Sequence, residues 1–205
     1  MKQLSMICLL AASLSGIATP ALMASNLVMN GGFETMNPNN SLLPADWGFT
    51  PASSGSDFWV STWYPHSGTN AANFAGQSLD SIQQTVATNA GQSYLLSFFL
   101  DVDSAGAAND FRAYWDGTVV SDLSSSNVVE GAYKEYSAVV LGTGSDVLQF
   151  KGYDASLVGH ADHLDDVSLT ASAATAPEPA SLWLLAVALL GFLPWRRLAS
   201  RRSLQ

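Results

Sequence analysis

Apolar and polar residues alternate with period two along much of this chain. The clearest run is Ser93 to Asp101, where Tyr94, Leu96, Phe98 and Leu100 fall on one face and Leu95, Ser97, Phe99 and Asp101 on the other. Phe111, Ala113 and Trp115 alternate with Arg112 and Tyr114, and Asp116-Gly117 reads as a tight hairpin turn into Thr118-Val119-Val120. Further strands are expected over Trp47–Phe49, Asp57–Trp63, Ala71–Ala75, Ser78–Val86, Tyr133–Leu141, Ser145–Tyr153 and His163–Thr170. Asn26–Met29 reads as a short apolar start, and the Asn- and Pro-rich stretch Met36–Pro44 as loop. Many short strands without an amphipathic helix predict an all-β sandwich or jelly roll, and no internal repeat suggests a propeller or solenoid.

The two ends break this pattern. Residues 1–24 carry one early basic residue, Lys2, an apolar stretch from Met6 to Ala18, and small residues around Ala21 and Ala24. These are the parts of a secretory signal peptide, cleaved after Ala21 or Ala24. Cys8 lies inside the apolar stretch rather than at its end, which argues against lipid attachment. At the other end, Pro177-Glu178-Pro179 precedes an uncharged segment from Ala180 to Trp195, followed by Arg196, Arg197, Arg201 and Arg202. The prolines prevent a helix from starting before Ala180. A helix from there to Trp195 would be about 24 Å long against a hydrocarbon core of about 30 Å. Length alone would therefore allow a packed core helix. The arginines decide for a membrane-inserted segment, because they can snorkel to a headgroup layer and act as a stop to transfer.

This order of parts resembles the PEP-CTERM sorting signal of Gram-negative bacterial surface proteins. The resemblance implies an exosortase-type processing enzyme as partner and transient anchoring in the inner membrane with the ectodomain outside. Release near Pro177-Glu178-Pro179 and delivery to the cell surface or extracellular matrix would follow. The expected organisation is a signal peptide at 1–24, a β-sandwich at 25–171 and a linker with the Pro-Glu-Pro motif at 172–179. A single transmembrane sorting helix at 180–195 and a basic cytoplasmic tail at 196–205 complete it.

With the ends set aside, charge looks different. Between Ser25 and Ala176 stand three basic residues, Arg112, Lys134 and Lys151, against sixteen acidic ones. Such a body repels nucleic acid and anionic lipid but is compatible with neutral glycans and divalent cations. No cysteine follows Cys8, so no disulfide staples the domain. About 150 residues suffice for one core without such staples.

A second resemblance runs through residues 26 to 170. Asn26-Leu27-Val28 with Asn30-Gly31-Gly32-Phe33-Glu34, the stretch Ser67-Gly68 to Phe74-Ala75-Gly76, Gln84-Thr85-Val86, Gly91 to Phe98 and finally Leu164-Asp165-Asp166-Val167-Ser168-Leu169 look like the galactose-binding-like jelly roll shared by many carbohydrate-binding modules. The resemblance implies a structural calcium linking first and last strands through Glu34 and Asp165. Strand alternation adds that Asp165 shares the inward face with Val167 and Leu169, where a carboxylate needs a partner or a cation. The alternative is that both carboxylates are solvated or cap turns.

The remaining candidates are aromatic and acidic. Trp59, Trp63, Tyr64 and Trp115 could stack on sugar rings. Trp63 and Tyr64, beside Pro65-His66 in an expected loop, are the named glycan-binding candidates, whereas Trp115 in its alternating run reads as core. Asp101, Asp103 and Gly106 match positions one, three and six of a calcium loop, but Ala105 and Arg112 replace two ligands, so an acidic hairpin loop is expected. His160, Asp162 and His163 read as a solvated loop rather than a transition-metal site. No G-x-S-x-G, P-loop or H-E-x-x-H occurs, and no enzyme is expected. The sequence thus points to a secreted surface or matrix protein that binds glycan or exopolysaccharide without catalysis. A purely structural, self-associating matrix protein and a carboxylate-dependent glycoside hydrolase are the alternatives.

Overall fold

The structure is a computed structural model, and it describes residues 25–103, 109–124, 131–155 and 160–172. The signal peptide at 1–24 and the tail from 173 onward, with the Pro-Glu-Pro motif, the apolar segment and the arginines, lie outside the described residues.

Twelve strands follow one another: β1 (Met36–Asn37), β2 (Asn40–Pro44), β3 (Gly48–Thr50), β4 (Phe58–Ser61), β5 (Ala71–Phe74), β6 (Asp80–Ala87), β7 (Ser93–Val102), β8 (Asn109–Trp115), β9 (Thr118–Asp122), β10 (Lys134–Leu141), β11 (Ser145–Asp154) and β12 (Asp162–Ala171). They form two five-stranded antiparallel sheets, β10-β7-β12-β5-β4 and β3-β6-β11-β8-β9, with β1 and β2 as a separate hairpin. The expected all-β sandwich is the observed one.

The core follows from the alternation. Tyr94, Leu96, Phe98 and Leu100 of β7 face Phe111, Ala113 and Trp115 of β8 and Leu148 and Phe150 of β11, all buried. Phe98 meets Phe150 edge-on with ring centres 5.1 Å apart, and Phe111 stands 5.4 Å from Phe74. Trp115 is core, as expected, its Nε1 donating to the Leu141 carbonyl. Asp116 and Gly117 both have positive φ, the signature of the tight hairpin turn between β8 and β9.

One expectation fails locally. Met36–Pro44 is not a loop but the β1–β2 hairpin, whose Met36 and Leu43 pack on the core. The apolar start Asn26–Met29 is not a strand of either sheet. It runs along β12, with Leu27 donating its amide to the Leu169 carbonyl and the Asn26 side chain clasping Val167 and Leu169. Gly31 is required at this seam, because a Cβ there would lie 2.1 Å from the Val167 carbonyl oxygen.

A bulge in β12 corrects a second expectation. Leu164 stands opposite Leu100 and Asp165 opposite Phe99, but the next registered pairs are Ser168 with Ser97 and Leu169 with Leu96. Asp166 takes φ +48 at this irregularity, a conformation Asp tolerates better than most residues. The phase of alternation therefore changes at Asp166. Asp165 does not share the inward face with Val167 and Leu169; it lies on the outer face, beside Phe99.

Candidate functional site

Strand register draws one transverse row across the outer face of the first sheet. Trp59 of β4 is opposite Asn73 of β5, Asn73 is opposite His163 of β12, and His163 is opposite Asp101 of β7. Four residues from four distant parts of the chain thus stand side by side, all on one face. The loop from residue 62 to 67 folds over this row. Trp63 meets Trp59 at 6.4 Å, edge to face, and Tyr64 lies 5.0 Å from the His163 ring. His66 stacks on Phe99 at 3.8 Å, and Tyr133 donates its hydroxyl to the Tyr64 carbonyl at 2.5 Å. Trp63 and Tyr64 are 61% and 63% exposed. Their rings are presented to solvent on a fixed support, which is the arrangement stacking on a sugar needs.

The support is a polar network. The Asn73 amide nitrogen turns toward the Trp59 and Ala71 carbonyls and the Ser61 hydroxyl, leaving its oxygen to accept from His163 Nδ1 at 2.6 Å. That fixes the His163 ring, with Nε2 3.4 Å from Asp103 Oδ2. Burial raises the Asp101 pKa above the usual carboxylate value, and His163 opposes the shift. His163 is 2% exposed and belongs to β12, so the expected solvated loop is corrected for it and for buried Asp162. Asp162 accepts from the Asn109 side chain inside the sandwich, where burial drives its pKa well up.

The loop is clamped from below by carboxylates. Asp165, fully buried, accepts the amides of His66 (2.9 Å) and Ser67 (3.1 Å) on Oδ2 and that of Asp166 (2.7 Å) on Oδ1. Asp166 takes His66 Nδ1–H and the Ser67 hydroxyl, each at 2.7 Å. Glu34 Oε1 accepts the amides of Thr69 (2.8 Å) and Asn70 (3.1 Å). Gly68, with φ +62, leaves the room this needs, since a Cβ would come within 2.2 Å of Glu34 Oε1. Burial pushes the Asp165 carboxyl up to about 6, against the pull of its backbone donors.

These hydrogen bonds bear on calcium. The ion takes roughly six to eight oxygen ligands. Here N–H donors take two acceptor directions on Asp165 Oδ2 and on Glu34 Oε1 and one on Asp165 Oδ1, which leaves few lone pairs for a cation. Among the described residues no group of three or more acidic, His or Cys side chains converges as metal ligands. The Glu34–Asp165 set as folded fits a loop clamp better than an ion. Asp80 is used in the same way, holding residues 52 to 57 through the Ala52 and Asp57 amides and the Ser56 hydroxyl.

Of the site residues read from sequence, the structure brings Trp59, Trp63 and Tyr64 together and places Glu34 and Asp165 under the adjoining loop. Asn73, Phe99, Tyr133 and His66 were not foreseen as part of it. Only the exposed-loop setting of Trp63-Tyr64-Pro65-His66 signalled the last of these; the others join through long-range register.

Compared by sequence with curated proteins, the chain matches none. Among solved structures the fold is similar to that of TmCBM61 in complex with β-1,4-galactotriose, at TM-score 0.52 and 19% identity, covering 73% of this chain and 100% of that one. It is also similar to the CBM22-1 xylan-binding domain of Paenibacillus barcinonensis Xyn10C, at TM-score 0.49 and 14% identity over 72% of this chain and 95% of that one. The C-terminal CBM6 of LamC from Zobellia galactanivorans aligns at TM-score 0.41 and 15% identity, over 60% of this chain and 98% of that one. Residues 175–202 match the family model of the PEP-CTERM protein-sorting motif. The chain thus carries the PEP-CTERM sorting motif at its C-terminal end and, ahead of it, a β-sandwich with the fold of carbohydrate-binding modules.

Proposed function

We propose that this is a secreted surface or matrix protein whose sandwich binds glycan, without catalysis, on the outer face of the first sheet. One observation carries the reading: Trp63 and Tyr64 are exposed rings held over a polar row, Trp59–Asn73–His163–Asp101. A pyranose presents an apolar C–H face to such rings and hydroxyls to the polar edge. Affinity per site is modest in this reading, and display of many copies at a surface raises it. The sorting motif supports the address, with an exosortase-type enzyme releasing the chain near Pro177-Glu178-Pro179 from a transient anchor in the inner membrane.

A second reading has its own observation. Leu95 and Val139 stand opposite each other on the outer face, and with Leu141 they form an exposed apolar patch at the β10 edge. Self-association through that patch would suit a purely structural matrix protein.

A glycan array probed with the full chain in detergent tests the first reading. Retention on one or a few polysaccharides is expected, unchanged by EDTA because the clamp under the loop is hydrogen-bonded. A blank array contradicts glycan binding, retention lost in EDTA restores a calcium at Glu34 and Asp165, and cleavage of the retained glycan returns the hydrolase alternative.

A further inference from the structure

The aromatic face is as uneven in charge as it is in shape. The chain has three cationic residues between Ser25 and Ser172, Arg112, Lys134 and Lys151. Arg112 and Lys151 stand opposite each other on the outer face of the second sheet. There Arg112 reaches Asp110 at 2.9 Å and Asp122 at 3.5 Å, and Lys151 lies over the Tyr114 ring. Lys134 is opposite inward-facing Leu100, with its ammonium over Tyr136. No lysine or arginine of the sandwich lies on the aromatic face.

Carboxylates do. Asp101, Asp165 and, across from Phe99, Glu135 are on that face, and Asp103 and Asp166 border it. Among the described residues, the basic side chains on that face are His66 and His163, each turned to a carboxylate. Tyr133 lies among the aspartates; burial first, then Asp165, Asp101, Asp166 and Asp103, all raise its phenol pKa. One enclosed atom there has no hydrogen bond among the described residues: Asp101 Oδ1, in a side chain 7% exposed, whereas His163 Nε2 faces Asp103 Oδ2 at 3.4 Å. An acceptor left over in this way makes the local potential more negative and is costly unless something offsets it. A ligand carrying positive charge would offset it.

We propose, resting on the glycan-binding reading, that this face selects amino sugars with free ammonium groups over N-acetylated and uronic-acid glycans. The rings of Trp63 and Tyr64 supply stacking, and an ammonium beside an aromatic face gains a cation–π term. Asp103 and Asp166, partly exposed, supply direct counter-charge. Asp101 adds its field from beneath. Uronates meet mainly like charge on the same surface.

Isothermal titration of the full chain in detergent at neutral pH, with three oligomers, tests this. The probes are a β-1,4-linked glucosamine hexamer, its fully N-acetylated form and an oligogalacturonate. The glucosamine hexamer is expected to bind on the order of tenfold tighter than the acetylated form, a preference that shrinks in high salt. The oligogalacturonate binds weakest. Asp103→Asn and Asp101→Asn narrow the preference, with circular dichroism melts identifying the folded variant to be read. Asp122→Asn, which removes the same charge from the opposite sheet, leaves it unchanged. Equal binding of the amino and acetylated oligomers overturns the selection and leaves glycan binding standing. An Asp122→Asn effect as large as that of Asp103→Asn also overturns it, because overall charge would then explain the preference. If none of the three binds while the array retains a neutral glycan, the selection alone is wrong; if the array is blank too, the glycan reading fails with it.

Discussion

Under the proposed glycan-binding reading, replacing Trp63 and Tyr64 together by alanine is expected to lower glycan retention by on the order of 30-fold or more, the effect of losing about 2 kcal/mol at a central binding anchor. Folding is expected to change little. Both rings are more than half exposed, and exposed substitutions usually fall within about 0.5 kcal/mol, a shift of roughly 1–2 °C in a domain of this size. Titration calorimetry on the retained glycan and a thermal melt of the same sample check both halves. A variant that melts normally and still binds would remove these rings from the site. The single Trp63→Ala change also frees the edge of Trp59, so its loss is expected to exceed that of Tyr64→Ala.

Asp165→Ala is expected to be the most damaging single change to the site's support. It strands three amides, those of His66, Ser67 and Asp166, beneath the loop. Hydrogen bonds to a charged acceptor contribute roughly 1.5–3 kcal/mol each, so a loss of about 3 kcal/mol or more is expected. The melting temperature then falls by roughly 6–12 °C at about 2–4 °C per kcal/mol. Retention falls as well, although no ligand-facing ring has changed, because His66 and Tyr64 lose the anchor that sets them over Phe99 and His163. Glu34→Ala, at the exposed end of the same clamp, should cost less in both measurements. A melt within about 2 °C of the unaltered chain would mean that the clamp contributes less than its geometry indicates.

The strands that were legible in the sequence are those with one buried face. Ser93–Asp101 and Phe111–Trp115 alternate cleanly, because each side of the sheet meets a different medium. The β1–β2 hairpin was hidden by composition. Asn37, Asn39, Asn40 and Pro38 have low strand propensity, and the pairing survives because Met36 and Leu43 pack on the core. The facing of Asp165 was misread for a different reason. Alternation assumes an unbroken phase, and one bulge at Asp166 reverses it. The Asp165-Asp166 doublet in an apolar strand was the available signal, since Asp accepts the left-handed conformation.

The site divides along the same line. Trp63 and Tyr64 could be singled out locally, as aromatic residues in a loop with Pro and His. The row beneath them could not, because Trp59, Asn73, His163 and Asp101 meet only through three strand pairings that sequence spacing does not reveal. The acidic composition also has a clearer purpose. Asp80, Asp165, Asp166 and Glu34 spend carboxylate oxygens on loop amides and hydroxyls, so much of the charge fastens loops to strands.

Hydroxyl-radical footprinting of the full chain, with and without a polysaccharide retained on the array, tests the central claim most directly. Oxidation is read residue by residue at the exposed side chains. The account predicts protection of Trp63, Tyr64 and Trp59, with Met29, Leu42, Leu95, Val139 and Leu141 unchanged. Protection confined to Leu95, Val139 and Leu141, with Trp63 and Tyr64 still oxidised, would contradict it and assign the surface to contacts between copies of the chain.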